Sequence, residues 1–363
     1  LRHRAAIGRP LPGSHGRPIM MTVLRTLALG TTGGAVFFWL GIPLAWMLGA
    51  LAATTVVSLT IGGMRIPKQL RNVFLGLLGV TVGSEFMPDI FTNISEWLLV
   101  VGVLFAYLLV IAPVGYLFFR RIGRMDPVSA YFSALPGGMS EVTFIGASLG
   151  ADIRQLALIH SMRVIAIVFT VPTFFYAFSD ITVARFTLAN AYWPLSTTDV
   201  LVLLACGFGG VWVGRRLRFP APMLLGPLLL SAAAHLSGLT SADPPDWFLA
   251  PVQVVLGCAI GSRFARGQGG KIARPLILGV IWGLLVVALA VAFAAMAATV
   301  GPAGMAELTL ALTPGGLSEM VVLTIALGAD VALVSACHLL RITVIYVATP
   351  VLIRVAGWKA VDD

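Results

Sequence analysis

Apolar runs of about twenty residues follow one another through almost the whole sequence, separated by short polar segments. A helical run of this length matches the thickness of the hydrocarbon core of a bilayer. Of the residues, 58% are apolar and only 11% are charged, whereas about a quarter are charged in a soluble globular protein. The pattern predicts an all-α polytopic membrane protein. It excludes an ordinary soluble enzyme, a nucleic-acid-binding module and a disulfide scaffold.

The sequence also carries a duplicated pattern at an offset of 178 residues. Between residues 133–172 and 311–350, 13 of 40 aligned pairs are identical. The identical pairs include polar and charged residues, while most apolar positions between them differ, so we predict two homologous halves. The duplicated polar and helix-breaking residues are Pro136, Gly137, Gly138, Ser140, Glu141, Asp152, His160 and Arg163 in the first half, and Pro314, Gly315, Gly316, Ser318, Glu319, Asp330, His338 and Arg341 in the second.

Each half is predicted to contain five full-length apolar helices and one shorter, Gly-interrupted element. The first membrane repeat covers residues 22–180 and the second covers 194–355, after a disordered basic tail over residues 1–21. The interrupted elements lie at 127–150 and 307–329. The full-length runs lie near 22–40, 42–62, 72–88, 95–119, 154–178, 195–214, 220–238, 247–264, 274–300 and 331–354.

The distribution of the excess basic charge, a net +9, predicts how the halves are oriented. In the first half, basic residues precede the first run and follow the second and fourth, whereas in the second half they follow the first and third. Because cytoplasmic loops are rich in Lys and Arg, the two repeats are predicted to be inverted, with both termini cytoplasmic. Inversion requires an odd number of crossings per half. Ten crossings satisfy this if each interrupted element enters and leaves on one side, and twelve crossings are the alternative.

The Pro-Gly-Gly segments predict a broken or re-entrant helix in each half. Pro136 and Pro314 each lack a backbone N–H group, and the two following glycines allow backbone angles closed to other residues. Within a membrane, such a break is tolerated only where protein or a water-filled cavity satisfies the freed backbone groups. The helix after each break would direct free amides toward the gap, which suits an anion or a polar substrate at the interface between inverted repeats.

Several duplicated residues have both a structural and a functional interpretation. Glu141 and Glu319 either complement the start of a half-helix or bind a coupling ion or proton, because ionisable groups at membrane depth are costly. Ser140 and Ser318 are either caps or ligands. Asp152 and Asp330 are predicted to be structural helix caps.

Arg163 and Arg341 lie in the middle of their apolar runs, and His160 and His338 lie on the same helix face three residues earlier. Each arginine either neutralises a carboxylate such as Glu141 or clamps a carboxylate or oxyanion substrate. Each histidine either bonds a backbone carbonyl or titrates in a useful pH range. The sequence leaves these alternatives open.

The sequence offers no pattern typical of catalysis or of cofactor binding. Its three cysteines lie inside apolar runs and have no metal-ligand spacing. We find no Walker A loop, dinucleotide fingerprint or hydrolase elbow. We therefore expect no enzyme, no catalytic residue, no metal and no cofactor.

At the duplicated residues, from Pro136 to Arg163 and from Pro314 to Arg341, the sequence resembles the bacterial AbrB-type membrane protein family. The resemblance covers about residues 22–355. Members have been labelled as regulators or as ammonia monooxygenases, so the resemblance implies a bacterial inner-membrane protein with a role in gene expression. The layout is also similar to the cation:proton antiporter and anion transporter superfamily, as a fold-level analogy only.

Two functions follow from these features. The first is a secondary transporter of a small anionic solute, driven by an ion gradient. The alternative is a non-transporting membrane sensor or regulator that acts on gene expression indirectly. The expected partners are a small-molecule or ion substrate and the lipid bilayer. Direct nucleic-acid binding is not expected, because the segments outside the spans are too short to fold as a DNA-reading element. The sequence leaves homo-oligomerisation open.

Overall fold

The computed structural model describes residues 16–86, 94–137, 145–178, 196–219, 221–242, 244, 248–264 and 273–358. All regular secondary structure in these ranges is helical, which confirms the all-α prediction. The helices are α1 (Gly16–Trp39), α2 (Ala45–Thr60), α3 (Lys68–Ser84), α4 (Ile94–Leu117, continued by a π-helix over Phe118–Ile122), α5 (Pro127–Ala134), α6 (Ile153–Phe178), α7 (Thr197–Arg216), α8 (Pro222–Leu236), α9 (Leu249–Gly261), α10 (Ala273–Ala298), α11 (Met305–Leu312), α12 (Leu317–Ala326) and α13 (Val331–Val355). Residues 145–148 are also helical.

Six of the described helices, α1, α4, α6, α7, α10 and α13, are long and apolar enough to cross a membrane. The protein is therefore a polytopic membrane protein by helix length and composition. Helices α2, α8 and α9 are shorter than the full-length runs that the sequence predicts, whereas α3 has the predicted length but begins and ends four residues earlier. The 16 residues of α2 rise only about 24 Å, against a hydrocarbon core of about 30 Å. Two glycines with positive φ, Gly62 and Gly63, follow α2 and end it within the apolar run.

Helix α1 begins at Gly16, so residues 16–21, which the sequence assigns to the basic tail, are helical. Pro18 lies in the first turn, where its missing N–H group would have no partner within the helix. Residues 1–15 lie outside the described part of the chain.

The helices pack in two groups. In the first group, the most extensive contacts join α1 with α2, α7 with α8, α3 with α8, and α9 with α2. The second group contains α4, α5, α6 and α10–α13, and its most extensive contact joins α10 with α6. α12 and α13 connect the groups by packing against α3, and α12 also contacts α9. One cluster of buried apolar side chains extends through both groups.

Helices α4 and α10 occupy equivalent places in the two halves, and they pack antiparallel. As residue numbers increase along α4, the residue numbers of the contacted partners in α10 decrease. The contacting pairs are Tyr107 with Val286, Gly115 with Trp282, and Ile122 with Arg274. α10 runs parallel to α6, because Gly279 lies against Ile159 and Gly283 lies against Arg163. α4 and α6 therefore run in opposite directions.

The short helices of the two halves pack against each other reciprocally. Gly257 and Gly261 of α9 lie against Ala50 and Thr54 of α2, so these helices run parallel. In the same way, Gly79 and Gly83 of α3 lie parallel to α8, against Pro227 and Ser231. The second helix of each half thus packs on the third helix of the other half, which is the exchange expected of a twofold relation.

Candidate functional site

A short helix in each half ends just before the Pro-Gly-Gly segment. α5 ends at Ala134 and is followed by Pro136, and α11 ends at Leu312 and is followed by Pro314. At the second break the Gly315 N–H group donates to Thr313 O at 2.9 Å, and α12 then begins. The first break continues into residues 138–144, so the predicted site residues Gly138, Ser140 and Glu141 lie outside the described residues.

An arginine from the following long helix binds the end of each short helix. Arg163 Nη1 donates to Leu135 O at 2.8 Å. Arg341 Nη1 donates to Leu312 O at 3.3 Å and to Thr313 O at 3.2 Å. The last carbonyl groups of a helix lack partners and carry partial negative charge. Each arginine therefore joins the end of a short helix to the long helix that carries the arginine, and the contact is of the same kind in both halves.

Glu319 lies at the start of α12 and is buried. Its Oε2 atom accepts a hydrogen bond from Ser318 Oγ at 3.0 Å and lies against Gly316. Glu319 also interacts electrostatically with Arg263, which follows α9 in the first group of helices. A carboxylate in the first turn of a helix complements the free amides of the helix start, and a buried carboxylate can also bind a cation or a proton, so both interpretations of Glu319 remain.

The two histidines make different contacts. His160 Nε2–H donates to Phe132 O in α5 at 3.0 Å, whereas His338 Nδ1–H donates to Val334 O in its own helix at 3.0 Å. Both side chains are buried. His160 therefore adds a second bond between the first short helix and its long helix, while the equivalent histidine does not.

The long helices bring the two arginines together inside the second group. Arg163 and Arg341 are 3% and 1% exposed. They interact electrostatically with each other and with Tyr107, whose hydroxyl donates to Val286 O at 3.2 Å. The Nε atoms of both arginines have no hydrogen-bond partner within the described ranges. Two buried cations whose Nε–H groups have no partner among the described residues have the chemistry to donate to an anionic or acceptor-rich group.

Tyr107 is the residue of this cluster that the sequence did not indicate. Its equivalent in the second half is Leu285, so the duplicated pattern does not mark it.

The second Pro-Gly-Gly break lies in the same region, because Gly315 lies near Ile167, one turn beyond Arg163 on α6. In the described part of the chain, no group of three or more His, Cys, Asp or Glu side chains could hold a metal ion.

Asp152 and Asp330, which occupy equivalent positions in the two halves, cap the long helices α6 and α13. Asp152 accepts hydrogen bonds from the Gln155 N–H group at 3.0 Å and from Gln155 Nε2 at 2.8 Å, and Asp330 accepts one from Leu333 N–H at 2.8 Å. The Asp152 N–H group also donates to Ser129 Oγ at 2.9 Å. The end of the first interrupted element therefore lies beside its beginning.

The second interrupted element shows a related arrangement. A cavity of about 380 Å³ is lined by Glu307 of α11, by Gly328 just after α12, and by Phe178 at the end of α6. The beginning and the end of this element therefore lie together, near the C-terminal end of α6. The first element begins and ends near the N-terminal end of the same helix.

Comparison with known proteins gives a match over most of the chain. The model of the family described as "Transition state regulatory protein AbrB" matches residues 46–357. The chain is 26% identical over 346 residues to "Uncharacterized protein YhjN" of Bacillus subtilis (strain 168), which covers 89% of this chain and 90% of that protein. It is 27% identical over 339 residues to "Putative regulator AbrB" of Escherichia coli (strain K12), which covers 88% of this chain and 91% of that protein.

Proposed function

The chain belongs to the AbrB family, and on that premise we propose that it is a secondary transporter of a small anionic solute, driven by an ion gradient. The observation that carries the proposal is the pair of buried arginines, one from each half, that interact electrostatically and whose Nε–H groups have no partner among the described residues. In the apolar interior, two such cations are stabilised by an anion that accepts hydrogen bonds from both.

Inverted repeats are part of this proposal. If the two halves pointed the same way, equivalent helices would run parallel. The antiparallel contacts between α4 and α10 support inversion. The reciprocal packing of α2 with α9 and of α3 with α8 is consistent with the same twofold relation.

We further propose that both interrupted elements are re-entrant, which gives ten crossings instead of twelve. The opposite directions of α4 and α6 support this, and so does the bond between Asp152 and Ser129. The second element opens at the other end of α6, beside Phe178. The two breaks would then approach the arginines from opposite sides of the membrane, which is the arrangement that alternating access requires.

The direction of transport sets an energetic requirement. Moving one negative charge into a cell against a potential of 100 mV costs about 2.3 kcal/mol, so uptake of an anion needs co-transported cations. Protons or sodium ions would supply this energy, and Glu319 and His338 are the buried residues we propose for coupling. The basic loops lead us to propose the bacterial inner membrane, with both termini cytoplasmic.

The names of the family and of one relative favour a second candidate function. The family description and the Escherichia coli protein's name both refer to regulation. The corresponding proposal is a membrane sensor that binds the same anion without moving it and influences gene expression indirectly.

Uptake into proteoliposomes distinguishes the two candidates. We expect purified protein to accumulate at least one member of a panel of monocarboxylates, dicarboxylates, sulfate and phosphate, under an inward proton or sodium gradient. Collapsing the gradient with an ionophore should abolish accumulation. If no solute accumulates but one raises the melting temperature of the protein, the sensor replaces the transporter. If no anion accumulates and none raises the melting temperature of the protein, the proposed anion site is wrong.

A further inference from the structure

An apolar groove of about 480 Å³ lies between α3 and α7 in the first group of helices. Gly76 and Val80 of α3 face Gly207 and Phe208 of α7 across it. Phe208 is 78% exposed, and α7 is long and apolar enough to cross a membrane. The groove therefore opens toward the lipid hydrocarbon.

The polar residues of the groove lie together at one end. Gln69 and Asn72 come from the first turns of α3, and Arg215 comes from the last turn of α7. These ends meet because the two helices run antiparallel, with Gly76 beside Val211 and Val80 beside Gly207. From Gln69 to Val80 the groove follows α3 for about 16 Å, which is close to the apolar depth of one leaflet, about 15 Å.

The other half provides an internal comparison, since the equivalent surface between α9 and α1 is filled. A Cβ atom on Gly207 would meet only Val80, at 3.7 Å, whereas one on the equivalent Gly30 would lie 2.1 Å from Cys258 Sγ. Where the groove has Arg215 beside Met223 S, the other half has the stacked rings of Phe38 and Trp46. Generic helix packing would leave both surfaces alike, so the open volume and its cationic end are specific to the α3–α7 side.

Charge at the polar end indicates which lipid would bind. Arg215 and Arg216 end α7, and Lys68 and Arg71 lie in the first turn of α3, at the same end of the antiparallel pair. Basic residues near the membrane surface attract anionic lipid headgroups. A phosphate headgroup bound here would leave its acyl chain aligned with the groove.

We propose that the α3–α7 groove is a binding site for one anionic phospholipid, with an acyl chain between Gly76 and Gly207 and the phosphate at Arg215. The site is separate from the arginine pair and does not depend on transport.

Native mass spectrometry of the protein, released from a mild detergent, tests this proposal. With equal concentrations of phosphatidylglycerol and phosphatidylcholine of the same chain length, we expect one tightly bound phosphatidylglycerol, preferred by about tenfold or more. Gly207→Leu should remove the bound lipid by filling the groove. The open space around Gly207 allows this change without displacing backbone. Arg215→Ala should retain a lipid but lose the preference for phosphatidylglycerol.

Gly102→Leu is the matched control, because Gly102 is exposed on α4 with no atom near its Cβ position, and it should bind lipid as the unmodified protein does. Equal binding of the two lipids by the unmodified protein would overturn the proposal. So would unchanged lipid binding by Gly207→Leu. If Gly207→Leu instead converts a dimer to a monomer without changing the lipid count, a second copy of the chain occupies the groove and the lipid proposal is wrong.

Discussion

Replacing Arg341 with alanine is expected to reduce solute uptake at least about 100-fold, because hydrogen bonds to charged groups contribute about 1.5–3 kcal/mol each and the anion would lose more than one. The side chain is 1% exposed and interacts electrostatically with Arg163. The same change removes the donor to Leu312 O and Thr313 O, so we also expect a modest fall in the melting temperature.

Two further variants separate the loss of the anion contact from the loss of stability. Arg341→Lys keeps the charge but lacks the planar array of guanidinium donors, so it should recover most of the melting temperature but only part of the uptake. Arg354→Ala removes an exposed arginine from the same helix and should transport normally. Uptake by Arg341→Ala at the rate of the unmodified protein would show that the arginine pair is not the anion site.

Replacing Gly49 with leucine is expected to lower the free energy of unfolding by about 3 kcal/mol or more, or to prevent folding altogether. A Cβ atom at Gly49 would lie 2.1 Å from Gly33 O and 2.7 Å from Gly34 Cα. These are backbone atoms of α1, which cannot rotate away, so the α1–α2 pair would have to separate. Close approach through glycine is a common packing mode of helices in membranes.

Thermal unfolding followed with a thiol-reactive dye measures this effect, since all three cysteines are buried in the folded protein. Gly102→Leu again serves as the control, and its melting temperature should be nearly unchanged. If Gly49→Leu unfolds at the same temperature as the control, the close α1–α2 contact is not part of the native packing.

The duplicated pattern predicted that a short helical element begins near residue 127 and another near residue 307, and α5 and α11 begin there. α11 (Met305–Leu312) begins and ends 178 residues after α5 (Pro127–Ala134), as the repeat offset predicts. The ends of α5 and α11, each two residues before the proline of a Pro-Gly-Gly segment, could be predicted from the sequence, although Pro113, Pro172 and Pro350 lie inside longer helices. The lengths of α2 and α9 could not be predicted in this way, because their apolar runs continue beyond the last helical residue.

The contacts of the site residues were harder to predict, since a sequence shows side chains and not the backbone groups they meet. For Arg163 and Arg341 the sequence suggested carboxylate or substrate partners, and within the described residues both arginines donate to carbonyl groups at helix ends. His160 and His338 have the same spacing to their arginines, yet only His160 bonds the neighbouring short helix. Such differences depend on small shifts between packed helices, which residue spacing does not encode.

Labelling of single introduced cysteines with a membrane-impermeant reagent tests directly whether the two halves are inverted in the membrane. The three native cysteines are buried and can remain in place. We expect cysteines at positions 126 and 152 to react from one face of the membrane, and a cysteine at position 330 to react only from the other. Reaction of positions 152 and 330 from the same face would contradict the inverted arrangement, and with it an anion site approached from both sides.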